Sequence, residues 1–424
     1  MKERVIMMVG LGYIGLPTAA VMASKGMKVV GLDVNQSVCD TINRGEIHIV
    51  EPGLESVVKS VVASGKLRAT TKPEEADVFV IAVPTPHGED KAPDLSYIKS
   101  ACETIAPVLK KGDLVVLEST SPVTTTDKMS TWLKTARTDL SFPVEGDEEL
   151  DIDVNVAYCP ERVLPGKVIE ELVNNDRSIG GMTLGCAKAA QQFYRSFVKG
   201  ECVITTARTA EMVKLVENAS RDVSIAFANE LSLLSEHFDI NVREVISLAN
   251  RHPRVNILQP GAGVGGHCIA VDPWFIVHSA PHLSRLIKTA REVNDAKPAW
   301  VVEQLEKQIS SFLISNTERN MKSLRVAFFG LSFKPNIDDL RESPAIEVVN
   351  QFLSNYPDIN VEVVEPNVND LDKAGLVKSD EGDLYKLVSL NKALSADVGV
   401  VLVAHDEFKN VPELNSGKFL NVVW

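Results

Sequence analysis

A glycine-rich turn near the N-terminus restricts the fold more than any other feature of the chain. Gly10, Gly12 and Gly15 follow the short apolar run 4–9, and Asp33 closes the next apolar run. The three glycines meet different needs, namely a tight turn, close approach of a ligand to the backbone, and close packing of a helix on a strand. The order predicted is strand, turn, helix and strand, which begins a doubly wound α/β sheet.

The same turn predicts its ligand. Backbone N–H groups at a helix N-terminus can hold the pyrophosphate of a dinucleotide. Asp33 can accept hydrogen bonds from both ribose hydroxyls, and its charge repels a 2′-phosphate, so that NAD is favoured over NADP. The alternatives are that the glycines serve only the turn and that Asp33 caps a turn or a helix.

Apolar runs and helical stretches alternate along the rest of the N-terminal half. We expect strands at 28–33, 78–83, 114–117 and 154–157, in an open parallel sheet with its ligand at the carboxyl ends. The stretch 209–251 has helical periodicity and contains neither Pro nor Gly. Because about 40 residues would be unusual for one helix, a break is expected at residues 237–241.

The C-terminal part echoes the N-terminal one. After a helical stretch at 283–312, a new βαβ unit begins at 324–332, with later strands at 361–364 and 398–403. This part lacks the complete glycine pattern and should bind something other than a dinucleotide. The predicted fold class is therefore α/β, with two doubly wound Rossmann-like domains, 1–205 and 316–424, joined by a long central helical region, 206–315.

Composition excludes several classes of protein. No stretch of the 424 residues approaches the roughly 20 apolar residues of a membrane-spanning helix. The six cysteines include no Cys-x-x-Cys pair, and the first apolar run has no signal-cleavage site, so we expect no metal site and a cytoplasmic protein. A net charge of −13 argues against a nucleic-acid partner.

A second glycine-rich segment contains the candidate nucleophile. Residues 261–273 read Gly-Ala-Gly-Val-Gly-Gly-His-Cys-Ile-Ala-Val-Asp-Pro, and their small side chains leave the backbone free to approach a ligand. Beside NAD, Cys268 can trap an aldehyde as a thiohemiacetal and offer a second hydride, which predicts a carboxylic acid as product. A small buried thiol is the usual alternative, and Cys159 is the competing cysteine, interpreted as a core residue.

Other polar residues are candidates for the same site. Lys214 and Asn218 are four residues apart on the predicted helix, so both can reach one oxygen atom and stabilise an oxyanion. A solvated helix surface is the alternative, because charged residues also surround them. Thr85 and Thr120 lie at predicted strand ends, where their hydroxyls either order the cofactor or cap the strand ends.

Five ordered motifs together resemble the UDP-glucose/GDP-mannose dehydrogenase family. They cover nearly the whole chain and lie at residues 10–17, 160–162, 211–218, 265–272 and 333–343. Segments 249–260 and 268–275 are most similar to the branch that oxidises UDP-N-acetyl-D-mannosamine. The resemblance implies a four-electron, NAD-dependent oxidation of sugar C6 that gives UDP-N-acetyl-D-mannosaminuronate for surface polysaccharide synthesis. The chemistry alone leaves the C2 epimer, UDP-N-acetyl-D-glucosamine, open.

The resemblance also implies residue roles. Cys268 matches the nucleophile, Lys214 the acid/base, Asn218 the amide that binds the C6 oxygen, Asp272 an assisting aspartate, and Glu161 the glutamate of thioester hydrolysis. The implied NAD site comprises Gly10, Gly12, Tyr13, Ile14, Gly15, Asp33, Thr85, Thr120, Thr126 and Arg341. The implied UDP-sugar contacts are Arg162, Val163, Lys214, Asn218, Arg221, His252, Arg254, Gly265 and Lys334.

The resemblance further implies a homodimer in which the partner subunit supplies His252 and Arg254. It assigns NAD binding to domain 1–205, catalysis and dimerisation to 206–315, and UDP-sugar binding to 316–424. Two other functions compete with this interpretation. A two-electron β-hydroxyacid dehydrogenase would form one NADH for each product, and a catalytically silent nucleotide-sugar sensor would form none.

Overall fold

The computed structural model describes residues 4–49, 51–88, 90–163, 166–266, 268–368, 371, 374–379 and 382–423. His267, in the second glycine-rich motif, lies outside these ranges. The chain divides into two compact units, Met1–Glu217 and Asn218–Trp424. The boundary between them falls inside one helix, Ala207–His237. None of the helices in the described ranges is long and apolar enough to cross a membrane.

The first unit alternates strands and helices, as the glycine turn predicts. Its elements are β1 (Val5–Val9), α1 (Gly15–Ser24), β2 (Lys28–Leu32), α2 (Gln36–Asn43), α3 (Leu54–Ala63), β3 (Leu67–Thr70), β4 (Val78–Ile81), α4 (Ser96–Ile105), β5 (Leu114–Leu117), α5 (Thr125–Ala136), β6 (Asn155–Tyr158), α6 (Val168–Asn174), β7 (Arg177–Gly181), α7 (Leu184–Tyr194) and β8 (Cys202–Thr206). The helix α8 (Ala207–His237) follows directly.

The described strands of this unit form one eight-stranded sheet in the order β3-β2-β1-β4-β5-β6-β7-β8. Every neighbouring pair is parallel except β6 and β7, which run antiparallel, so the expectation of a wholly parallel sheet was wrong at this point. Among the described residues of the connection 159–176 lies the seven-residue helix α6, and the chain enters β7 from the edge at which β6 ends. Strand β7 therefore starts near the carboxyl end of β6.

Both faces of this sheet are buried. Alternate residues of β1 enter different cores, with Ile6 and Met8 in one and Met7 and Val9 in the other. This is the side-chain alternation of a strand covered by helices on both faces. The sheet is thereby rigid at the edge where its loops carry the candidate residues.

The second unit contains a helical part and a smaller sheet. After α8 come α9 (Val242–Ala249), α10 (Asp272–Ser279), α11 (Arg285–Ser315), β9 (Arg325–Phe329), α12 (Pro344–Asn355), β10 (Asn360–Val364), β11 (Lys378–Ser379), β12 (Gly382–Asp383), β13 (Tyr385–Leu387), α13 (Leu390–Ala393), β14 (Val398–Val401), α14 (Asp406–Lys409) and β15 (Leu420–Asn421). Five of the described strands form a parallel sheet in the order β13-β10-β9-β14-β15. The second doubly wound sheet is thus confirmed.

The predicted break in the long helical stretch is also confirmed. Helix α8 ends at His237, and α9 begins at Val242. Asp239 adopts a left-handed backbone conformation, with φ 54°, and the side chain of Asn241 accepts hydrogen bonds from the N–H groups of Arg243 and Glu244. A left-handed residue followed by an N-cap is a common way to end one helix and start another.

Candidate functional site

The first glycine-rich turn has the shape that a dinucleotide needs. Gly10 has φ +91°, and a Cβ at Gly15 would lie 1.8 Å from the carbonyl oxygen of Gly10, so α1 packs directly against the turn. At Gly12 a Cβ would meet no atom within 4 Å among the described residues. Helix α1 starts without a side-chain cap from its N-cap residue Ile14. Its first amides are therefore suited to a phosphate, and the residues fit NAD.

Asp33 follows β2 and is held by the chain itself. Its Oδ2 accepts a hydrogen bond from the N–H of Leu11 at 3.0 Å, and its Oδ1 accepts one from the N–H of Asn35 at 2.9 Å. The first bond connects the carboxylate to the glycine-rich turn. Each oxygen keeps a second lone pair, so Asp33 can both order the turn and accept a ribose hydroxyl.

Polar groups cluster at the ends of β4 and β5. The hydroxyl of Ser119 accepts from the N–H of Val83 at 3.0 Å and donates to its carbonyl at 2.7 Å. Thr85 and Thr120 flank this connection and are half-buried, Tyr13 is exposed, and Ile14 is half-buried. The structure therefore brings the candidate NAD residues of the first unit to the carboxyl edge of its sheet.

Thr126 has a different partner from the one expected. It is fully buried, and its hydroxyl and its N–H both donate to Glu211 Oε1, at 2.6 Å and 2.7 Å. The N–H of Thr124 donates to the other oxygen of Glu211 at 2.6 Å. Burial raises the pKa of Glu211 to about 7. These bonds connect the loop before α5 to α8, one turn before Lys214.

Glu161 is the most perturbed of the candidate catalytic residues in the first unit. Its side chain is 7% exposed, and its Oε1 has no hydrogen-bond partner among the described residues. Burial raises the pKa of Glu161 to about 7, although the charges of Arg177 and Lys214 oppose this shift. A carboxyl that titrates near neutrality suits a general base or acid.

Arg162 turns away from Glu161 toward α8. Its guanidinium forms an ion pair with Glu217 at 2.6 Å and donates to the carbonyl of Asp176. Both acidic residues border the same open pocket of ≈ 380 Å³, together with Arg162 and Asn175. Val163 follows and is half-buried. Sequence analysis missed the pairing of Arg162 with Glu217.

Exposure separates the two candidate cysteines. All six cysteines lie within the described residues, and Cys268 is exposed whereas the other five are buried. Cys159 is completely buried, and burial raises the pKa of its thiol to about 12. A thiol with that pKa is almost entirely protonated at neutral pH, so the interpretation of Cys159 as a core residue is confirmed.

The loop before Cys268 packs against the segment before α12. A Cβ at Gly265 would lie 2.3 Å from the carbonyl oxygen of Glu342, and one at Gly266 would lie 2.9 Å from the ring of Phe333. Gly263 has φ +141°, and a Cβ there would lie 2.8 Å from Pro344. At these three positions the protein's own packing also requires glycine, in addition to the predicted approach of a ligand to the backbone.

Replacement of Gly265 by alanine should therefore lower the free energy of unfolding by about 1–3 kcal/mol, because the neighbouring atoms include backbone that must move. Gly261→Ala is the matched control, since a Cβ there meets no atom of the described residues within 4 Å, and it should stay within about 1 kcal/mol of wild type. Urea unfolding of both variants measures the difference. Equal stability of the two variants would contradict the tight contact with Glu342.

Helix α10 begins immediately after this loop. The N–H of Asp272 donates to the carbonyl of Cys268 at 2.9 Å. Asp272 is 3% exposed, and its Oδ2 accepts a hydrogen bond from the side-chain N–H of Asn218 at 2.5 Å. The structure thus joins Cys268, Asp272 and Asn218 in one connected arrangement, and the bond to Asp272 orients the amide of Asn218.

A buried polar network anchors the start of the same loop. Asn229 accepts from the N–H of Gly261 at 2.9 Å and donates to Asn294 at 2.8 Å. Asn294 in turn donates to Asp222 at 2.8 Å, and Asp222 pairs with the buried Arg291 at 2.6 Å. Sequence analysis missed this network. The spacing of Asn218, Asp222 and Asn229 on one face of α8 was the available signal.

The second sheet repeats the turn-and-carboxylate arrangement in a closed form. Glu365, which follows β10, accepts from the N–H groups of Leu331 at 2.7 Å and Ser332 at 3.0 Å, as Asp33 accepts from Leu11. The buried ring of His405 lies 3.2 Å from the same carboxylate. Protein groups therefore surround both oxygens of Glu365, so this carboxylate differs from Asp33 in having little room for a ligand hydroxyl.

The remaining candidates lie on the surface of the second unit. Lys334, His252, Arg254 and Arg221 are exposed. Arg341 is exposed and forms two hydrogen bonds with Asp339, at 2.8 Å and 2.6 Å. Among the described residues, no three His, Cys, Asp or Glu side chains are grouped to hold a metal ion.

Three family models match successive parts of the chain. They are the NAD binding domain (residues 4–198), the central domain (208–296) and the UDP binding domain (327–420) of the UDP-glucose/GDP-mannose dehydrogenase family.

Individual relatives are similar over almost the full length. The UDP-N-acetyl-D-mannosamine dehydrogenase of Salmonella typhi is 57% identical over 97% of this chain and 96% of its own. An NDP-N-acetyl-D-galactosaminuronic acid dehydrogenase of Ralstonia nicotianae is 58% identical, with 96% and 92% covered. The solved structure of a UDP-D-ManNAc dehydrogenase from Pyrococcus horikoshii matches with a TM-score of 0.83 at 39% identity, covering 99% of this chain and 95% of that one.

Proposed function

The chain belongs to the UDP-glucose/GDP-mannose dehydrogenase family, and from this premise we propose that it oxidises C6 of UDP-N-acetyl-D-mannosamine to a carboxylate. Family membership makes it an NAD-dependent oxidoreductase. The 57% identity to enzymes named for this sugar supports the choice of substrate. The product of the proposed reaction is UDP-N-acetyl-D-mannosaminuronate.

One observation carries the proposal of acid formation. Cys268 is the exposed cysteine, and it lies one turn before Asp272, which is bonded to Asn218. An exposed thiol connected through Asp272 to an oriented amide suits covalent capture of an aldehyde. A two-electron dehydrogenase has no use for this arrangement, because its carbonyl product simply leaves.

NAD fits the first unit by the open space at Gly12, the α1 amides and the carboxylate of Asp33. When bound, NAD accepts a hydride from the substrate carbon, so each molecule of acid requires two molecules of NAD. We propose that the residues that hold it are Gly10, Gly12, Tyr13, Ile14, Gly15, Asp33, Thr85, Thr120, Thr126 and Arg341.

Lys214 and Asn218 act on the C6 oxygen in the proposed mechanism. Lys214 accepts the hydroxyl proton, directly or through a water, as C6 is oxidised to the aldehyde. The thiolate of Cys268 then adds to the aldehyde carbon, which forms a C–S bond and an oxyanion. Lys214 and the amide N–H of Asn218 stabilise this oxyanion, and Asp272 holds the amide in place.

Oxidation of the thiohemiacetal leaves a thioester on Cys268. Glu161 accepts a proton from a water whose oxygen attacks the acyl carbon, and the C–S bond breaks to release the carboxylate and the Cys268 thiolate. One primary alcohol, two NAD and one water thus give one carboxylate, two NADH and three protons. The covalent bond retains the sugar while the cofactor is exchanged.

We propose that the UDP-sugar contacts are Arg162, Val163, Lys214, Asn218, Arg221, His252, Arg254, Gly265 and Lys334. We further propose a homodimer, in which the partner subunit's surface supplies His252 and Arg254. Its support is a set of exposed apolar side chains on and between α8 and α9, namely Phe227, Leu234, Phe238, Ile240 and Leu248. Exposed apolar patches of this kind commonly mark interfaces.

The proposal divides the chain into an NAD-binding domain (1–205), a catalytic and dimerisation region (206–315) and a UDP-sugar-binding domain (316–424). It places the reaction in the cytoplasm. The lack of a disulfide between any of the six described cysteines is consistent with a reducing compartment.

A second substrate has support from one relative. The Ralstonia enzyme named for N-acetyl-D-galactosaminuronic acid is 58% identical. N-Acetyl-D-galactosamine and N-acetyl-D-mannosamine differ only in ring stereochemistry. The protein should therefore be assayed with UDP-N-acetyl-D-mannosamine and with its gluco and galacto isomers. The NADH formed for each product is measured, and the mass of the product is determined by mass spectrometry.

We expect the highest kcat/KM with UDP-N-acetyl-D-mannosamine, and two NADH for each acid. One NADH for each product would indicate a two-electron dehydrogenase. Calorimetric binding without any NADH would indicate a nucleotide-sugar sensor. Preference for another isomer would refute the substrate assignment while leaving the four-electron chemistry in place.

A further inference from the structure

A buried group of charged and polar side chains lies beside Glu161 in the first unit. It contains Glu118 from the end of β5, Cys159 from the end of β6, Arg177 from the start of β7 and Tyr194 from the end of α7. Every one of them is less than 4% exposed. The antiparallel direction of β7 explains the position of Arg177, because this strand begins at the edge where β6 ends.

The hydrogen bonds of the described residues satisfy only one oxygen of Glu118 and leave one oxygen of the neighbouring Glu161 without a partner. The hydroxyl of Tyr194 donates to Glu118 Oε1 at 2.6 Å. Among the described residues, Glu118 Oε2 and Glu161 Oε1 have no hydrogen-bond partner. Arg177 donates to the carbonyls of Pro160 at 3.4 Å and Leu172 at 3.2 Å, and so pairs directly with neither carboxylate.

Arg177 is nevertheless the main positive charge acting on both carboxyls. Its guanidinium lowers the pKa of Glu118 and of Glu161, in each case against a larger upward shift caused by burial. Lys214, on α8, adds a smaller effect on Glu161. Burial raises the pKa of Cys159 and of Tyr194, which keeps both neutral. One buried cation therefore faces two carboxyls.

Two buried carboxylates facing one buried cation leave a negative charge that the more distant effect of Lys214 compensates only in part, which is costly in a medium of low polarity. Binding a proton on one carboxyl removes that cost. Glu118 accepts a hydrogen bond from Tyr194, which favours its ionised form. Glu161 has a weaker donor, the backbone N–H of Arg162, its Oε1 has no partner among the described residues, and the charge of Glu118 raises its pKa. The proton is therefore held on Glu161.

We propose that Glu118 and Arg177 are positioning residues that set the protonation of Glu161, with the ionised Glu118 sharing the charge of Arg177 and so keeping a proton on Glu161 near neutral pH. The inference rests on the proposed role of Glu161 in thioester hydrolysis. It identifies the groups that bring this carboxyl into the pH range where a base can both accept and return a proton.

Replacement of Glu118 and replacement of Arg177 should shift the pKa of Glu161 in opposite directions. Glu118→Gln preserves the shape and the acceptor for Tyr194 but removes the competing charge, so the pKa of Glu161 should fall by about one unit. Arg177→Met removes the cation, so the pKa of Glu161 should rise. The rate of thioester hydrolysis is followed by acid quench and mass spectrometry of the Cys268 peptide. The pH below which this rate falls should be lower than in wild type for Glu118→Gln and higher for Arg177→Met.

A direct titration makes the test independent of turnover. The infrared band of the neutral carboxyl, assigned to Glu161 by its loss in Glu161→Gln, should titrate at lower pH in Glu118→Gln than in wild type. Arg177→Lys keeps the positive charge and should restore a midpoint near that of wild type, even if Arg177→Met fails to fold. Asp113→Asn is the matched control, since Asp113 is buried at the opposite end of β5, and it should leave the midpoint unchanged.

The results distinguish a failure of the proposed charge arrangement around Glu161 from a failure of the proposed reaction on Cys268. If the infrared midpoint of Glu161 is the same in Glu118→Gln as in wild type, or moves equally in Asp113→Asn, the proposal for Glu118 and Arg177 is overturned. If no adduct forms on Cys268 in any variant, the proposed reaction fails, whereas the infrared titration still decides the role of the buried charges.

Discussion

Replacement of Cys268 by serine is expected to lower the rate of acid formation by about three orders of magnitude or more. A serine hydroxyl is not ionised at neutral pH and does not replace the thiolate as a nucleophile. The variant should stop at the aldehyde stage or at an unproductive adduct. Product mass and NADH count, measured in the same reaction, give the result.

Cys159→Ala is the matched control. The Cys159 thiol is buried and its pKa is about 12, so its removal should cost stability through a small cavity but leave acid formation within a few-fold of wild type. Equal loss of activity in both variants, with folding intact, would leave the assignment of the nucleophile to Cys268 without support.

Replacement of Glu161 by glutamine is expected to slow thioester hydrolysis by about 10²–10⁴-fold. The amide does not accept a proton from the attacking water, so the covalent adduct should accumulate on Cys268. In the wild-type protein the same step should slow by about tenfold for each pH unit below about 7, because a protonated Glu161 cannot act as base. Intact-protein mass spectrometry after rapid quenching detects the adduct.

Glu51→Gln provides the comparison for Glu161→Gln, because Glu51 is equally buried, at 7% exposure, and has no assigned role. Its two carboxylate oxygens accept hydrogen bonds from the N–H groups of Gly166 and Val168, so the replacement tests the loss of a buried charge together with one of these bonds. Hydrolysis at the wild-type rate in Glu161→Gln would refute the role of Glu161 as base.

Local patterns in the sequence were sufficient to predict most of the fold. The turn at Gly10, the alternation of apolar runs and helices, and the helix break after His237 all depend on neighbouring residues. The antiparallel strand β7 was not predicted, because strand direction depends on the path of the whole connection through α6 and not on neighbouring residues alone.

The candidate site was predicted less completely, for a physical reason. Cys268 and Asp272 belong to one short motif, and Lys214 and Asn218 to one helical turn, so their association is local. Glu118, Arg177 and Tyr194 come from separate strands and a helix, and only the folded sheet brings them together. For the same reason the sequence did not indicate that the loop glycines pack against the segment around Glu342.

The hydrogen bonds that orient the Asp33 carboxylate affect how readily the cofactor can be exchanged. Its carboxylate is already oriented by the amides of Leu11 and Asn35, so that, if Asp33 accepts the ribose hydroxyls as proposed, this acceptor is in place before any ligand arrives. Binding then spends little free energy on ordering this part of the protein. In the proposed reaction, NADH is then exchanged for NAD at a preformed binding site while the intermediate stays covalently bound to Cys268.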